Sequence, residues 1–299
     1  MKLQEIQSQV TVKIINVLKS GDISKWRRPW TLGCEAMNLA TQRKYKGALN
    51  IFLLGCAQLE NDYETALWVS YKQIQELKGK DGSNGTVNVG EKASRIYFCS
   101  KVEKINKESG EESAYWVHRL YPVFNLAQTN LDQEKYKALA FGNRTPIPES
   151  KLEQRLLSLG IPVRFAGNQA YFSSAENSIR LPSRDQFHSR ASLLSVLLHE
   201  LVHSTGLPLE RESLLKYHDD VTHRATEEMI TEISCTMLCA ALGIEQEVDE
   251  NHICYISSWL KALDNDHSLI FAASKEASKA AEYLLDRIEA TSEVPRTGT

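Results

Sequence analysis

The sequence predicts an α+β protein in two domains, and three observations carry that prediction. A chain of 299 residues, 42% apolar and 24% charged, is long enough for one large or two ordinary globular domains. Hydrophobic periodicity lapses between about Asp132 and Ser150, where the segment contains Gly142, Pro146 and Pro148. Charge divides at the same place. Residues 1–135 hold 19 Lys and Arg against 15 Asp and Glu, a net +4; the remaining 164 hold 16 against 23, a net −7, giving −3 for the chain. The expected division is therefore a domain over 1–135, a linker over 136–150 and a second domain over 151–299. A basic part joined to an acidic part suggests two tasks, with the basic part suited to phosphates.

Along the first domain, hydrophobic patterning predicts helices at 2–19, 48–60 and 71–78. Strands are expected at 66–70, 94–103 and 114–125, with KGKDGSNGTVNVGEK as a loop rich in Gly, Asn and Lys. The second domain opens with a helix in SKLEQRLLSLG, followed by two or three short strands in IPVRFAGNQAYFSSAENSIRLPSRDQF. Next comes an apolar helix ending in SLLSVLLHELVHSTG. Ser189 or Ser192 would cap its start, and Gly206 would sit just past its end in a left-handed conformation before LPLE. A second long helix runs from about Thr222 to Ala241 and stops at Gly243. From Asp249 to Ala290 the pattern reads as two helices interrupted near Asp264–His267, and the tail SEVPRTGT is expected to be disordered. There is no internal repeat.

Several classes are excluded. No run of 18 apolar residues exists, so no membrane span or membrane partner is expected. The N-terminus is an amphipathic helix without the apolar core and cleavage site of a signal peptide. Six cysteines in a chain of this length make no disulfide framework, so a reducing cytoplasm is the expected compartment.

The most informative motif is His199-Glu200-Leu201-Val202-His203. On a helix, residues four apart share a face, so His199 and His203 can grip one Zn²⁺ while Glu200 acts on water as catalytic acid/base. A third ligand is needed. The extended HExxHxxGxxH signature fails, because position 209 is Leu. A Glu from the second long helix is the other solution. Glu227, Glu228 and Glu232 lie along it among Met, Ile and Cys. Glu228 is assigned as the third ligand and Glu227 is the alternative. Glu232 becomes an acceptor that orients His199 or His203 through its other ring nitrogen. Tyr217, His218 and His223 lie between the two helices and are read as loop residues, with stabilisation of a transition-state oxyanion as their functional alternative. Cys235 and Cys239 lack CxxC spacing and are read as small core residues.

Aromatic and basic residues cluster in the first domain: Trp26, Arg27, Arg28 and Trp30; Arg43, Lys44, Tyr45 and Lys46; Trp68, Tyr71, Lys72 and Gln73. Cations neutralise phosphates and aromatic faces stack on unpaired bases, the combination a single-strand binder needs. Composition by itself leans instead to tryptophans in a core and solvated charges, and leaves the two readings open.

With these blocks in view, the chain resembles the ArdC-type antirestriction proteins of conjugative plasmids. The resemblance rests on WRRPW, MNLATQRKYKGALN, LWVSYKQIQELKG, NVGEK and PVFNLAQT, then SIRLPSRDQF, LLHELVHSTG and ATEEMITEISCTMLCAALGI, in family order over nearly the whole chain. It implies an N-terminal single-stranded-DNA-binding domain before a zincin-like, gluzincin-type metallopeptidase domain. The implied function is protection of incoming DNA from host restriction, with a metallopeptidase cleaving a protein of the restriction or regulatory machinery as the alternative. Carried onto this sequence, the metal falls to His199, His203 and Glu228, with Zn²⁺ expected and Mn²⁺ or Co²⁺ as substitutes. Glu200 becomes the acid/base, and Asn50 and Lys92 join the clusters above as candidate DNA contacts. Residues 170–181 are the expected edge strand for an extended substrate. One departure stands out: Asn177 occupies a position where an acid is expected.

Overall fold

A computed structural model describes residues 2–19, 36–105, 112–140, 147–244 and 250–291. Among the described residues no helix is long and apolar enough to cross a membrane. Contacts divide the protein into two units, one of residues 2–19 with 36–140 and one from residue 147 onward.

In the first unit, α1 spans Leu3–Lys19. It buries Ile6, Val10 and Ile14, spaced one turn apart, so a single stripe meets the core. Strand β1 (Met37–Asn38) precedes α2 (Ala48–Glu60), β2 (Leu67–Val69) and the short α3 (Tyr71–Glu76). Ser70 caps α3 in a reciprocal box with Gln73: the Ser70 hydroxyl accepts from the Gln73 N–H, and Gln73 Oε1 accepts from the Ser70 N–H at 3.0 Å. The long strands β3 (Ser94–Ile105) and β4 (Glu112–Asn125) form a hairpin, paired from Ser94↔Val123 to Ile105↔Glu112. Sheet order is β1-β2-β4-β3, with β1 parallel to β2 and the other pairs antiparallel. A 3-10 turn at Leu126–Gln128 and α4 (Gln133–Ala140) complete the unit. Its core holds Leu39, Leu67, Val69, Ile74 and Leu126, with Trp68, Leu54, Ala57 and Val123 in a neighbouring cluster.

The second unit begins with α5 (Glu149–Leu157) and a small sheet of β5 (Val163–Phe165), β6 (Tyr171–Ser173) and β7 (Ser178–Leu181), in the order β5-β7-β6. Strand β5 is parallel to β7 and β6 antiparallel, so β6 is an edge. Asn177 ends the turn between β6 and β7 at φ +46°. Asn tolerates that left-handed conformation better than most residues, which accounts for its place there. A 3-10 turn at Arg184–Gln186 leads into α6 (Arg190–Ser204), capped by Ser189, whose hydroxyl accepts from the Ser192 N–H. After the short α7 (Glu212–Leu215) comes α8 (Val221–Leu242), started by Asp220 and closed by Gly243 at φ +71°. Helices α9 (Glu250–Asn265) and α10 (Leu269–Ala290) follow. Leu194, Leu197, Leu198 and Leu201 of α6 pack with Leu152 and Leu156, Ile179 and Leu181, Leu238, and Leu284 and Ile288. The apolar run that marks α6 in the sequence is thus a helix buried on most sides.

One expectation changes in kind. Gly206 is not left-handed, since the α6 C-cap is Thr205 in a right-handed conformation. The glycine is required by space: a Cβ there would lie 2.8 Å from Leu214 Cβ.

Candidate metal centre and nucleic-acid face

Burial of α6 on most sides sets the character of the candidate metal centre, because His199 and His203 lie where α6 packs against α8 and meet its Glu228. The two imidazoles lie edge to face with centroids 5.0 Å apart. His199 Nε2 is 3.5 Å from Glu228 Oε2, and His203 Nε2 is 3.7 Å from Glu228 Oε1. One ligand atom from each of the three residues lies within 4.8 Å of the others.

The remaining ring nitrogens are held from behind. His199 Nδ1 lies 3.0 Å from Glu232 Oε1, and His203 Nδ1 lies 3.1 Å from Glu227 Oε1. Each histidine therefore has its own carboxylate, which fixes the ring and turns Nε2 toward the centre. Glu232 is the acid at His199 Nδ1. Glu227, the alternative ligand, faces away from the centre and is anchored by Arg211, whose Nε and Nη2 donate at 2.8 and 2.5 Å, and by the Ser213 hydroxyl at 2.6 Å. Arg211 also donates to Thr205 Oγ1 and to the Val202 carbonyl, tying the end of α6 to α8. Tyr217 is not an ordinary loop residue: its hydroxyl donates to Glu228 Oε1 at 2.6 Å. His218 packs edge-on against the Tyr217 ring, and His223 is engaged with Asp220 at the start of α8, so neither reaches the centre. Cys235 and Cys239 are buried in the core. Among the described residues, sequence patterning missed Arg211, Ser213, Thr205 and Thr231; a lone Arg in a loop carries no periodicity signal.

Electrostatics favour positive charge here. Burial is the largest influence on Glu228 and opposes its ionisation, but His203, His199 and the Tyr217 hydroxyl overcome it and hold the carboxyl at about 2. Burial likewise opposes a charge on His199, yet the neighbouring carboxylates of Glu228 and Glu232 lift its pKa well above the ordinary value. His203 is raised in the same way against burial, chiefly by the charge of Glu228. Both buried imidazoles are thus biased toward the charged form by the surrounding carboxylates, and a divalent ion meets the same negative surroundings while leaving the rings neutral as ligands. Glu228 Oε2 is buried without a hydrogen-bond partner, as a carboxylate atom reserved for a metal would be. The donor set of two imidazoles and one carboxylate fits Zn²⁺ or a similar divalent ion. Glu200 is pushed above the ordinary carboxylate range by burial, against the pull of His199 and His203, and it accepts the N–H of Phe172 on β6.

In the first unit the candidate DNA contacts sort by exposure. Trp26, Arg27, Arg28 and Trp30 lie outside the described residues. Trp68 is 0% exposed, with its ring edge against Tyr63, and it belongs to the core rather than to a stacking surface. Asn50 is committed to β3, exchanging hydrogen bonds with the Tyr97 backbone at 2.9 and 2.7 Å. Gln73 closes the α3 capping box and contacts Asn38. Tyr45 is half-buried, its hydroxyl accepting from Asn38 at 3.3 Å. Arg43, Lys44, Lys46, Lys72 and Lys92 are exposed.

Known proteins resemble this chain in both units. Residues 4–137 match the family model described as the N-terminal domain of anti-restriction factor ArdC, and residues 150–276 match a zincin-like metallopeptidase model. The uncharacterized protein y4eC of Sinorhizobium fredii is 28% identical over 94% of this chain and 91% of its own. DNA primase TraC of Escherichia coli is 28% identical over 93% of this chain, which spans only 27% of the primase. The crystal structure of the antirestriction protein ArdC from plasmid R388 in its metal-free form superposes with a TM-score of 0.78 at 30% identity, covering 97% of this chain and 99% of the other. Its Mn(II)-bound form gives 0.74 at 29%, covering 96% and 98%.

Proposed function

The chain belongs to the ArdC antirestriction family, and on that premise we propose that it binds single-stranded DNA through its first unit and protects incoming DNA from host restriction. A zincin-like domain and a Mn(II)-bound relative imply a divalent metal. His199, His203 and Glu228 would hold it, with Zn²⁺ as the resident ion. Kinship with a DNA primase supports DNA as the partner, as do the exposed cations of the first unit.

The observation that carries the metal reading is the back-to-back arrangement of carboxylates. Glu228 faces both Nε2 atoms while Glu232 and Glu227 each hold one Nδ1. A bound divalent ion would supply Lewis acidity to a substrate carbonyl and to water. Glu200 supplies the proton chemistry: its raised pKa suits a group that takes a proton from water and returns it to a leaving amine. Edge strand β6 lies beside Glu200 through Phe172, so an extended peptide pairing with β6 would be led to the centre. That contact favours a second reading, in which the protein hydrolyses a specific protein of the restriction or regulatory machinery and DNA binding targets it.

Metal analysis of the purified protein, combined with single-strand and duplex binding with and without chelator, tests both. The expected result is one divalent ion per chain and single-strand binding that survives chelation. Glu200→Ala should keep the metal and abolish any peptide hydrolysis; hydrolysis retained by that variant overturns the acid/base assignment.

A further inference from the structure

We propose that the face of the β3–β4 hairpin that carries Phe98, Tyr115 and Tyr121 is the stacking platform for single-stranded DNA, a placement that rests on the DNA-binding reading above. Strand β3 is the sheet edge, and β4 meets β2 only at Phe124 and Asn125, so most of the hairpin stands as a two-stranded ribbon. Directly paired residues share a face of such a ribbon, and the face alternates residue by residue. One face begins in the core, where Ile96 packs against the cluster of Leu54, Trp68 and Val123. Beyond that point the same face carries Tyr121 beside Ile96, Phe98 beside Arg119, Tyr115 beside Val102, and then Lys104.

These rings are not covered. Phe98 is 49% exposed, Tyr121 40% and Tyr115 52%. Phe98 and Tyr121 hold each other edge to face with centroids 5.8 Å apart, which presets their orientation. The level of Tyr115 is four residues beyond that of Phe98, roughly 13 Å along the ribbon, so the rings address separate bases. Arg119 and Lys104 alternate with the aromatics, and this face of the ribbon has no acid among the described residues. The acid Glu103 points to the other face, where Lys101 pairs with it at 3.2 Å. Asn50 binds the Tyr97 backbone at the base of the ribbon, so the basic segment 43–46 enters α2 from this end.

Rings separated by cations suit a chain of unpaired bases on a phosphate backbone. A duplex hides its base faces, and a protein partner would favour contiguous apolar surface without interleaved charge. The aromatic signal was invisible in the sequence-derived clusters because Phe98, Tyr115 and Tyr121 are dispersed over two strands that only pairing brings together.

The test is fluorescence anisotropy of a labelled oligothymidylate with the full chain. Phe98→Ala and Tyr115→Ala should each weaken binding about five-fold or more, with unchanged melting temperature because both positions are exposed. Phe98→Trp should restore affinity and Phe98→Leu should not, since Leu keeps apolarity but has no π-face. Arg119→Ala should lower the slope of log affinity against log salt by about one, while the ring variants leave it unchanged. Wild-type affinity in the Phe98→Ala/Tyr115→Ala double variant overturns the ribbon placement and leaves DNA binding by another surface standing. Failure of the unsubstituted protein to bind any single strand overturns both. A concentration-dependent dimer lost in the double variant, with DNA binding intact, assigns the face to a second copy and also overturns the placement.

Discussion

Replacing Glu227 with Ala removes one partner of a buried ion pair and should reveal how strongly the candidate metal centre depends on what lies behind it. Arg211 makes four hydrogen bonds: two to Glu227, at 2.8 and 2.5 Å, one to Thr205 Oγ1 at 2.8 Å and one to the Val202 carbonyl at 3.0 Å. Without Glu227 the guanidinium is buried with no counter-charge, which typically costs about 3–5 kcal/mol. The depressed carboxyl of Glu227 gives an independent scale. Burial raises its pKa, but Arg211 and His203 more than reverse this and bring it to about 2 from an ordinary 4.5, a difference worth about 3 kcal/mol. Because the folded-state pKa is the lower, this contribution is complete above pH 4.5 and is lost as pH falls from 4.5 toward 2. Urea unfolding of metal-free protein at neutral pH should therefore show Glu227→Ala destabilised by about 3 kcal/mol or more. The double variant Arg211→Met/Glu227→Leu should recover most of that, since it buries no unpaired charge. Metal affinity, read by competition with a chromophoric chelator, should stay about 10-fold or more weaker in both, because His203 Nδ1 loses its carboxylate. Thr231, 3.2 Å from the same nitrogen, limits the loss. Unchanged unfolding and unchanged metal affinity in Glu227→Ala would refute this reasoning.

Four further outcomes follow from particular contacts. Tyr217→Phe removes the hydroxyl that donates to Glu228 and should weaken metal binding about 10-fold, measured by the same competition; equal affinity would show the contact to be incidental. Gly206→Ala should cost about 1–3 kcal/mol in urea unfolding through collision with Leu214, and Leu214→Ala added to it should cost less than it does alone; simple additivity would argue against the collision. Trp68→Ala should lower stability by about 3–5 kcal/mol, whereas Lys72→Ala at the exposed start of α3 should leave it within about 0.5 kcal/mol. Burial pushes the Cys56 thiol to about 12 from an ordinary 9.0, so the folded state keeps its proton longer than the unfolded chain. Stability from this group is intact below pH 9 and falls as pH rises toward 12, by about 1 kcal/mol at pH 10. Cys56→Ala should abolish that part of the alkaline slope, and an identical slope in the variant would count against it.

Much of the candidate site is legible in the sequence because it depends on helical spacing. His199 and His203 four apart must share a face of α6, and apolar residues around them must bury that helix. Gly243 marks the end of α8 by its left-handed backbone. Three acids on one helix were a different problem. Glu227, Glu228 and Glu232 all lie on buried parts of α8, and their roles differ by how each is rotated about the axis relative to α6. Spacing alone left Glu227 open as a ligand, and only its anchoring by Arg211 and Ser213 removes it from the centre.

The same division holds in the first unit. Trp68, Asn50 and Gln73 are candidate DNA contacts by their place in basic, aromatic stretches, yet Trp68 fills the core, as composition by itself leans to, and the other two make structural hydrogen bonds. Conversely, Phe98, Tyr115 and Tyr121 gather on one exposed face only when β3 and β4 pair. By itself the sequence determined the α+β composition, the principal helices and strands, and the residue types able to bind a metal, because periodicity, caps and i,i+4 spacing are properties of a single segment. The tertiary structure decided which carboxylate faces both Nε2 atoms, which ones lie at the Nδ1 atoms, and which aromatics remain in solvent, because each of those depends on contacts between segments far apart in the chain.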